Sequence, residues 1–534
     1  MTITISDRLK AGLDNDQGAF LSTTAEGHLE VAVHGPRMPF GEVHVEGAEP
    51  VFQLDAVYGL NSSDLILTTG NSNNLGAANS AQNTGTDNLF KCSTGTTAYS
   101  FGSIESRRRL RYRSGQGNFI RFTFMFSTPA ASSTLVVGAG TAETGFFFGY
   151  DGTSFGVLYS NGGVREIQTL TVSTASTATN NYQVQLAGVT TNVTATNNGS
   201  TVKTAYEISK GTYPGWSAEA VGSTVVFVAN SAGNKSGTFS LGQTGAGTPA
   251  AGSFAETLAG VASDDTWVPQ ASWNGDKLDG TGASGVTINP QKLNVGQIDF
   301  QYLGAGAVVM KVEVNPSGNN PDFVTVHTFD FPNQRTTPTM RQPCFPFTMA
   351  AYSAGSTTNV WAASASVAGF IAGKRVNSGP RMTFFRETNG FVGSTAATYY
   401  PLFTIRNSLT HSHNGTTAKA NQAVFYLISI SASHDDATPV TFYLIRNATL
   451  DGVPNFAAYD ATSVIDYDTA ATTCTFTNNS QVQFAYALGQ NSGGAFGFDD
   501  TISVQPGETI TLAARAVTGT ATYVNVSLNT REDQ

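Results

Sequence analysis

Residues 119–126 read FIRFTFMF, residues 133–140 STLVVGAG, residues 144–152 TGFFFGYDG and residues 154–160 SFGVLYS. Each is a short apolar or alternating run. Turn dipeptides such as Asp151-Gly152 and Asn161-Gly162 separate them. Runs of this length, rich in Phe, Val, Tyr and Thr and bounded by Gly, Asn and Asp, predict β-strands. A sheet must bury one face, and two sheets packed face to face do so, which predicts a β-sandwich. VFQLDAVYGL at 51–60 extends the pattern upstream. The Asn-, Gly- and Thr-rich stretch between Ser62 and Thr97 reads as a long surface loop.

The rest of the chain agrees in class. It has 534 residues, 12% charged and 10% aromatic, with 56 Gly and 34 Phe. The aromatic content and the modest net charge of −10 exclude a disordered chain. The composition also lacks the Ala, Glu, Lys and Leu excess of a coiled coil. Strong nucleic-acid binding calls for a basic domain, whereas the pI is about 5.2. Three widely spaced cysteines, Cys92, Cys344 and Cys474, predict buried reduced thiols and no disulfide framework or zinc site. The opening MTITISDRLKAGL has no apolar core of a secretion signal, and no run of 18 apolar residues occurs. A membrane partner is therefore not expected.

Four regions emerge. Residues 1–50 form an acidic arm: eight acids stand against Arg8, Lys10 and Arg37, and HLEVAVHG and GEVHVEG read as isolated strands needing an outside partner. Residues 51–171 and 263–375 read as two parts of one central sandwich. Between them, residues 172–262 lose aromatics and gain Thr, Ala and Asn. There YQVQLAGV and STVVFVAN read as strands and TVKTAYEISKG as a short helix, which predicts a small inserted α+β domain in the order β–β–α–β–β. Residues 376–534, with YPLFTIRN, QAVFYLISISAS, VTFYLIRNA and ETITLAARAV, predict a C-terminal β-sandwich. The fold class is all-β, multi-domain and jelly-roll-like.

The densest charge lies in SRRRLRYRSGQGNFIR, with Arg107, Arg108, Arg109, Arg111 and Arg113 followed by Arg121. With Tyr112 as a stacking ring it could hold phosphates. The reading preferred is an interface, because guanidinium groups pair carboxylates bidentately and the arm supplies carboxylates. His411 and His413, two apart, could share a strand face, with His434, Asp435 and Asp436 downstream, but no third metal ligand is fixed. Asp264, Asp265, Asn274, Asp276 and Asp279 surround Trp267 and Trp273. They could hold calcium or a sugar, although the spacing does not fit an EF-hand and Asp and Asn are ordinary turn residues. No G-x-S-x-G, H-E-x-x-H or P-loop motif occurs. No enzyme activity, cofactor or metal is expected.

Several longer phrases resemble a group of virion structural proteins of tailed bacteriophages. They are AVHGPRMPFGEVHV, PVFQLDAVYG, SRRRLRYRSGQGNFIRFTFMF, GFFFGYDGTSFGVLYS, DKLDGTGASGVTINPQKLNVGQIDFQYLGAGAV and FVTVHTF, within roughly residues 30–375. The resemblance implies a β-rich virion component, in the tail, baseplate or fibre, assembled in the host cytoplasm with other virion proteins. It carries over no catalytic residue. A homo-oligomer is expected from the unpartnered strands of the arm, and the resemblance to fibre-like proteins implies a trimer. A host surface glycan is the external partner it implies. Two alternatives remain: a capsid decoration protein or head fibre, and a tailspike that binds or degrades host polysaccharide. The second lacks an evident carboxylate pair and a regular β-helix repeat.

Overall fold

The computed structural model describes residues 48–533 apart from 72–77, 142, 197–198, 316–320, 341–342, 374–378, 389–391, 396, 413–417, 436, 499–500 and 522. The acidic arm therefore lies almost wholly outside the described residues, as do His413 and Asp436.

In the strand Asn118–Phe126, Ile120, Phe122, Phe124 and Phe126 are buried while Arg121 faces outward. This period of two is what places one hydrophobic face on a core. The strand sits mid-sheet between Asn294–Phe300 on one side and Ser366–Ala372 with Trp361–Ser364 on the other. Val308–Val314 and Asp322–Phe329 continue the sheet one way, and Ala48–Asp55, Leu89–Ser93 and Gln82–Thr86 complete it the other way. A second sheet runs Asp264–Pro269, Ser154–Asn161, Gly145–Asp151, Ser133–Gly140, Cys344–Ser353, Ser100–Arg111, Leu65–Asn71. One core fills the space between the sheets. Its centre is aromatic: Phe124 stacks on Phe148 at 5.1 Å, and Phe122 meets Phe347 at 6.0 Å. On the far side of the second sheet Phe147 lies over two glycines. A Cβ at Gly145 or Gly140 would come within 2.3 or 2.6 Å of its ring.

The stretch 62–97 is not one loop. It contributes three strands, Leu65–Asn71, Gln82–Thr86 and Leu89–Ser93. Its Asn and Thr suit edge positions, where one flank and one face meet water. Asn83 uses its amide to hold the carbonyls of Thr68 and Ser103 at 3.0 Å each.

The inserted unit begins earlier than the change in composition at 172. Arg165–Thr174 already belongs to its four-stranded sheet, with Trp216–Val221, Thr224–Ala232 and Ala251–Leu258. Tyr182–Leu186, Val189–Val193 and Ser240–Gln243 form a second small sheet. The helix Thr201–Ser209 starts at Ser200, whose hydroxyl accepts from Lys203 N. Chain entry and exit meet at Val164 and Val261, which exchange both backbone hydrogen bonds.

The C-terminal unit has its own core between two sheets. One is Arg381–Thr388, Val524–Asp533, Val424–His434 and Gly493–Gly497, with Ser503–Val504 also paired to Val424–His434. The other includes Ile465–Asp468, Tyr400–Asn407, Thr509–Ala516, Val440–Arg446 and Val482–Leu488. The inserted unit is not self-contained. Leu170, Tyr206, Ile208, Trp216 and Phe227 share one hydrophobic cluster with Ile445, Leu450, Phe456, Cys474 and Ala513 of the C-terminal unit. Thr- and Ala-rich strands bury too little area alone and complete their core on the neighbour.

Candidate functional site: the arginine seam

Alternation along Ser100–Arg111 buries Ile104 and Leu110 and leaves the arginines on the other face and at the strand end. That face meets the C-terminal unit. Arg107 Nη1 donates to Glu508 Oε1 at 2.6 Å, and its Nε donates to Ser62 O at 2.7 Å. Glu508 Oε2 accepts from Arg446 Nη1 at 2.5 Å and from Gln505 N at 2.9 Å. One carboxylate thus holds two guanidinium groups, one from each unit. Burial lowers the pKa of Arg446, and Glu508 opposes this. Further along, Arg111 donates to Asp533, and Arg113 Nη2 stands 3.6 Å from the same carboxylate. Arg109 pairs within its own strand with Glu105 at 2.8 Å. Arg108 is exposed. The structure therefore brings four of the five predicted arginines into ion pairs inside one chain. Three of them join the central sandwich to the C-terminal unit. The partners Glu508 and Asp533 lie far away in sequence and are not in the arm.

Two further clamps escaped the sequence reading. Arg406, on the strand Tyr400–Asn407, donates through Nη2 to Asp466 Oδ2 at 2.5 Å and stands 3.4 Å from Glu219 Oε2 of the inserted unit. Its Nη1 donates to Ala220 O at 2.9 Å. Glu219 also accepts from Ser408 Oγ and Leu409 N. All three charges are nearly fully buried, and burial raises the pKa of Glu219 against the pull of Arg406. At the neck of the insertion, Glu143 faces Arg165 at 3.4 Å and accepts from Gln422 of the C-terminal unit. The signal available in sequence is a lone charge inside an apolar strand, as in WSAEAV and YPLFTIRN.

The remaining candidates are dispersed or engaged. His411 pairs across a short hairpin with Lys419, while His434 Nε2 bonds Gly489 O at 2.5 Å. Among the described residues no group of three His, Cys, Asp or Glu is placed to hold a metal. Trp273 is buried in the central core against Phe155 and Phe148, while Trp267 lies on the edge strand Asp264–Pro269, so the two rings form no shared platform. Asp276 accepts from Leu278 N and Ser284 N, and Asp279 from Thr281 N, which makes both carboxylates loop braces. In Asp276 burial is the largest single influence and pushes the pKa up, but the donors from Leu278 and Ser284 together outweigh it, and the pKa is lowered. All three cysteines are buried as free thiols. An open cleft of about 450 Å³ is lined by residues including Asn192, Tyr206, Glu207 and Lys210. Glu207 there already accepts from Tyr182 Oη at 2.7 Å.

No protein-family model matches the chain, and no curated protein matches it in sequence.

Proposed function

We propose that this chain is a structural component of a tailed-phage particle, in the tail, baseplate or fibre region, working as a homotrimer beside other virion proteins. One observation carries a structural role: the chain's densest charge cluster fastens β units to one another through Glu508 and Asp533. The most deeply buried ion pairs, those of Arg406, likewise tie the inserted unit to the C-terminal unit. The resemblance of residues 30–375 to virion structural proteins supplies the particle, and it supports tail over head only through fibre-like oligomers.

Copy number on purified particles tests this reading. A quantitative gel calibrated with the purified chain should give a few to a few dozen copies per particle. Hundreds of copies would move the protein to the capsid surface, and absence from the particles would end the virion reading.

A further inference from the structure

The cleft of about 450 Å³ in the inserted unit lies between the end of the helix Thr201–Ser209 and the strand Val189–Val193. Its two walls are pinned together. Gly211 sits where a Cβ would come within 2.5 Å of Val193 Cγ2 and 2.8 Å of the Tyr213 ring. Gly211 N and Tyr213 Oη both donate to Ile208 O, at 3.0 and 2.6 Å. Val193 and Tyr206 are buried beneath. Packing therefore shapes the cleft before any ligand arrives, and its volume is that of a small-molecule site.

Its polar lining is unpaired. Among the described residues, the side chains of Thr191, Asn192, Thr194, Lys210 and Thr212 make no hydrogen bond or ion pair within the chain. Glu207, the carboxylate beside them, is engaged elsewhere: it accepts from Tyr182 Oη at 2.7 Å, from Thr196 N at 3.2 Å and from the Thr196 hydroxyl. Lys210 keeps an aromatic neighbour, its Nζ 4.6 Å from the centroid of the Tyr206 ring. The surrounding protein desolvates this amine and the Arg406 guanidinium repels it, which together lower its pKa to about 8. It stays mostly protonated at neutral pH, and a cation so placed favours an anionic partner.

We infer that this cleft binds an acidic sugar, whose carboxylate meets Lys210 Nζ and whose hydroxyls meet Asn192 and the threonines. One free cation calls for one anionic group. The side chains around it, three hydroxyls and a carboxamide, each donate and accept, which suits the hydroxyls of a pyranose. A lone small anion would leave those groups unpaired, and a polyanion would call for several cations. The inference stands apart from the virion reading, since it concerns one chain in solution.

Saturation-transfer NMR of the full chain titrated with glucuronate tests it. The expected dissociation constant is about 1–10 mM, as for a small ligand in an open cleft. Lys210→Gln should weaken binding about tenfold or more, because a charge-assisted bond is lost, and Lys210→Arg should retain most of it. Asn192→Ala should weaken it several-fold. Both positions are exposed and tolerate these changes. Raising the pH from about 7 to about 9.5 should also release the sugar, because Lys210 loses its charge through about 8. Glucose and acetate each carry half of the recognised chemistry and should bind at least about tenfold more weakly than glucuronate. Absence of saturable binding, or glucuronate binding untouched by Lys210→Gln, overturns the proposal. Acetate binding as tightly as glucuronate overturns it in favour of a simple anion contact.

Discussion

Arg107 and Glu508 are 401 residues apart in sequence and 2.6 Å apart in space. The same carboxylate holds Arg446 on its other oxygen at 2.5 Å. The central sandwich and the C-terminal unit therefore meet through a shared anion. Removing that anion leaves two partly buried cations facing each other.

Glu508→Gln should accordingly loosen the two units more than Arg107→Gln. The first change costs about 2–3 kcal/mol of seam stability and the second about 1 kcal/mol, because the charge-assisted bonds are lost but the seam is partly wet. Denaturant unfolding followed by tryptophan fluorescence measures both. Equal effects would show that Glu508 does not bridge.

At the second joint, Arg406→Met should cost about 3–5 kcal/mol, since Glu219 and Asp466 stay buried without their cation. The expected readout is early proteolytic release of the inserted unit. Cleavage unchanged from wild type would mean that the shared hydrophobic cluster alone holds it.

Glu219 gives that joint a pH dependence. Its folded pKa is raised by burial. The folded state therefore binds this proton more readily than the unfolded one, and its contribution to stability falls as pH rises from the ordinary carboxylate range through the raised value. Asp276 acts in the opposite sense: its lowered pKa gives stability that is lost as pH falls below the ordinary range. Denaturation of wild type and Glu219→Gln across about pH 4–8 should show a downward slope that the variant lacks.

Replacing residues 165–260 by a short Gly/Ser bridge from Val164 to Val261 should leave the central sandwich folded. The C-terminal unit should be weakened, because Ile445, Leu450 and Phe456 lose their cover, at about 1.5–3 kcal/mol for each large side chain exposed. Calorimetry should then show two separated transitions where wild type shows a closer pair. An unchanged C-terminal transition would contradict the shared core.

Burial pushes the thiols of Cys92 and Cys474 up to about 12 and that of Cys344 up to about 11. Few thiolates exist near neutral pH, and the sulfurs are covered. A thiol-reactive dye should label the native chain negligibly. All three sites should react once denaturant unfolds it.

The strands of the central sandwich are legible because alternation and turn residues are local signals; FIRFTFMF states its own inner face. That Arg107, Arg109, Arg111 and Arg113 would pair with carboxylates is legible in kind, since clustered guanidinium groups attract carboxylates. Their partners are not, because Glu508 and Asp533 are brought near only by the packing of two whole units. The same reason hides the shared cluster of Ile208, Trp216 and Ile445. Composition marks residue 172 as a change, while the strand Arg165–Thr174 crosses that point, since hydrogen bonding does not follow composition.

The distance from Arg107 to Glu508 along the chain also sets an order of events during synthesis. At ~5–20 residues per second, the ribosome needs roughly 20–80 s to make the 401 residues between them. For that time the arginines of the Ser100–Arg111 strand exist without Glu508 and Asp533. The central sandwich can close earlier, since the strands of its core end at Ala372. The seam is then the last joint to be made, and a chain stopped before Glu508 would carry a folded sandwich with an unsatisfied basic face.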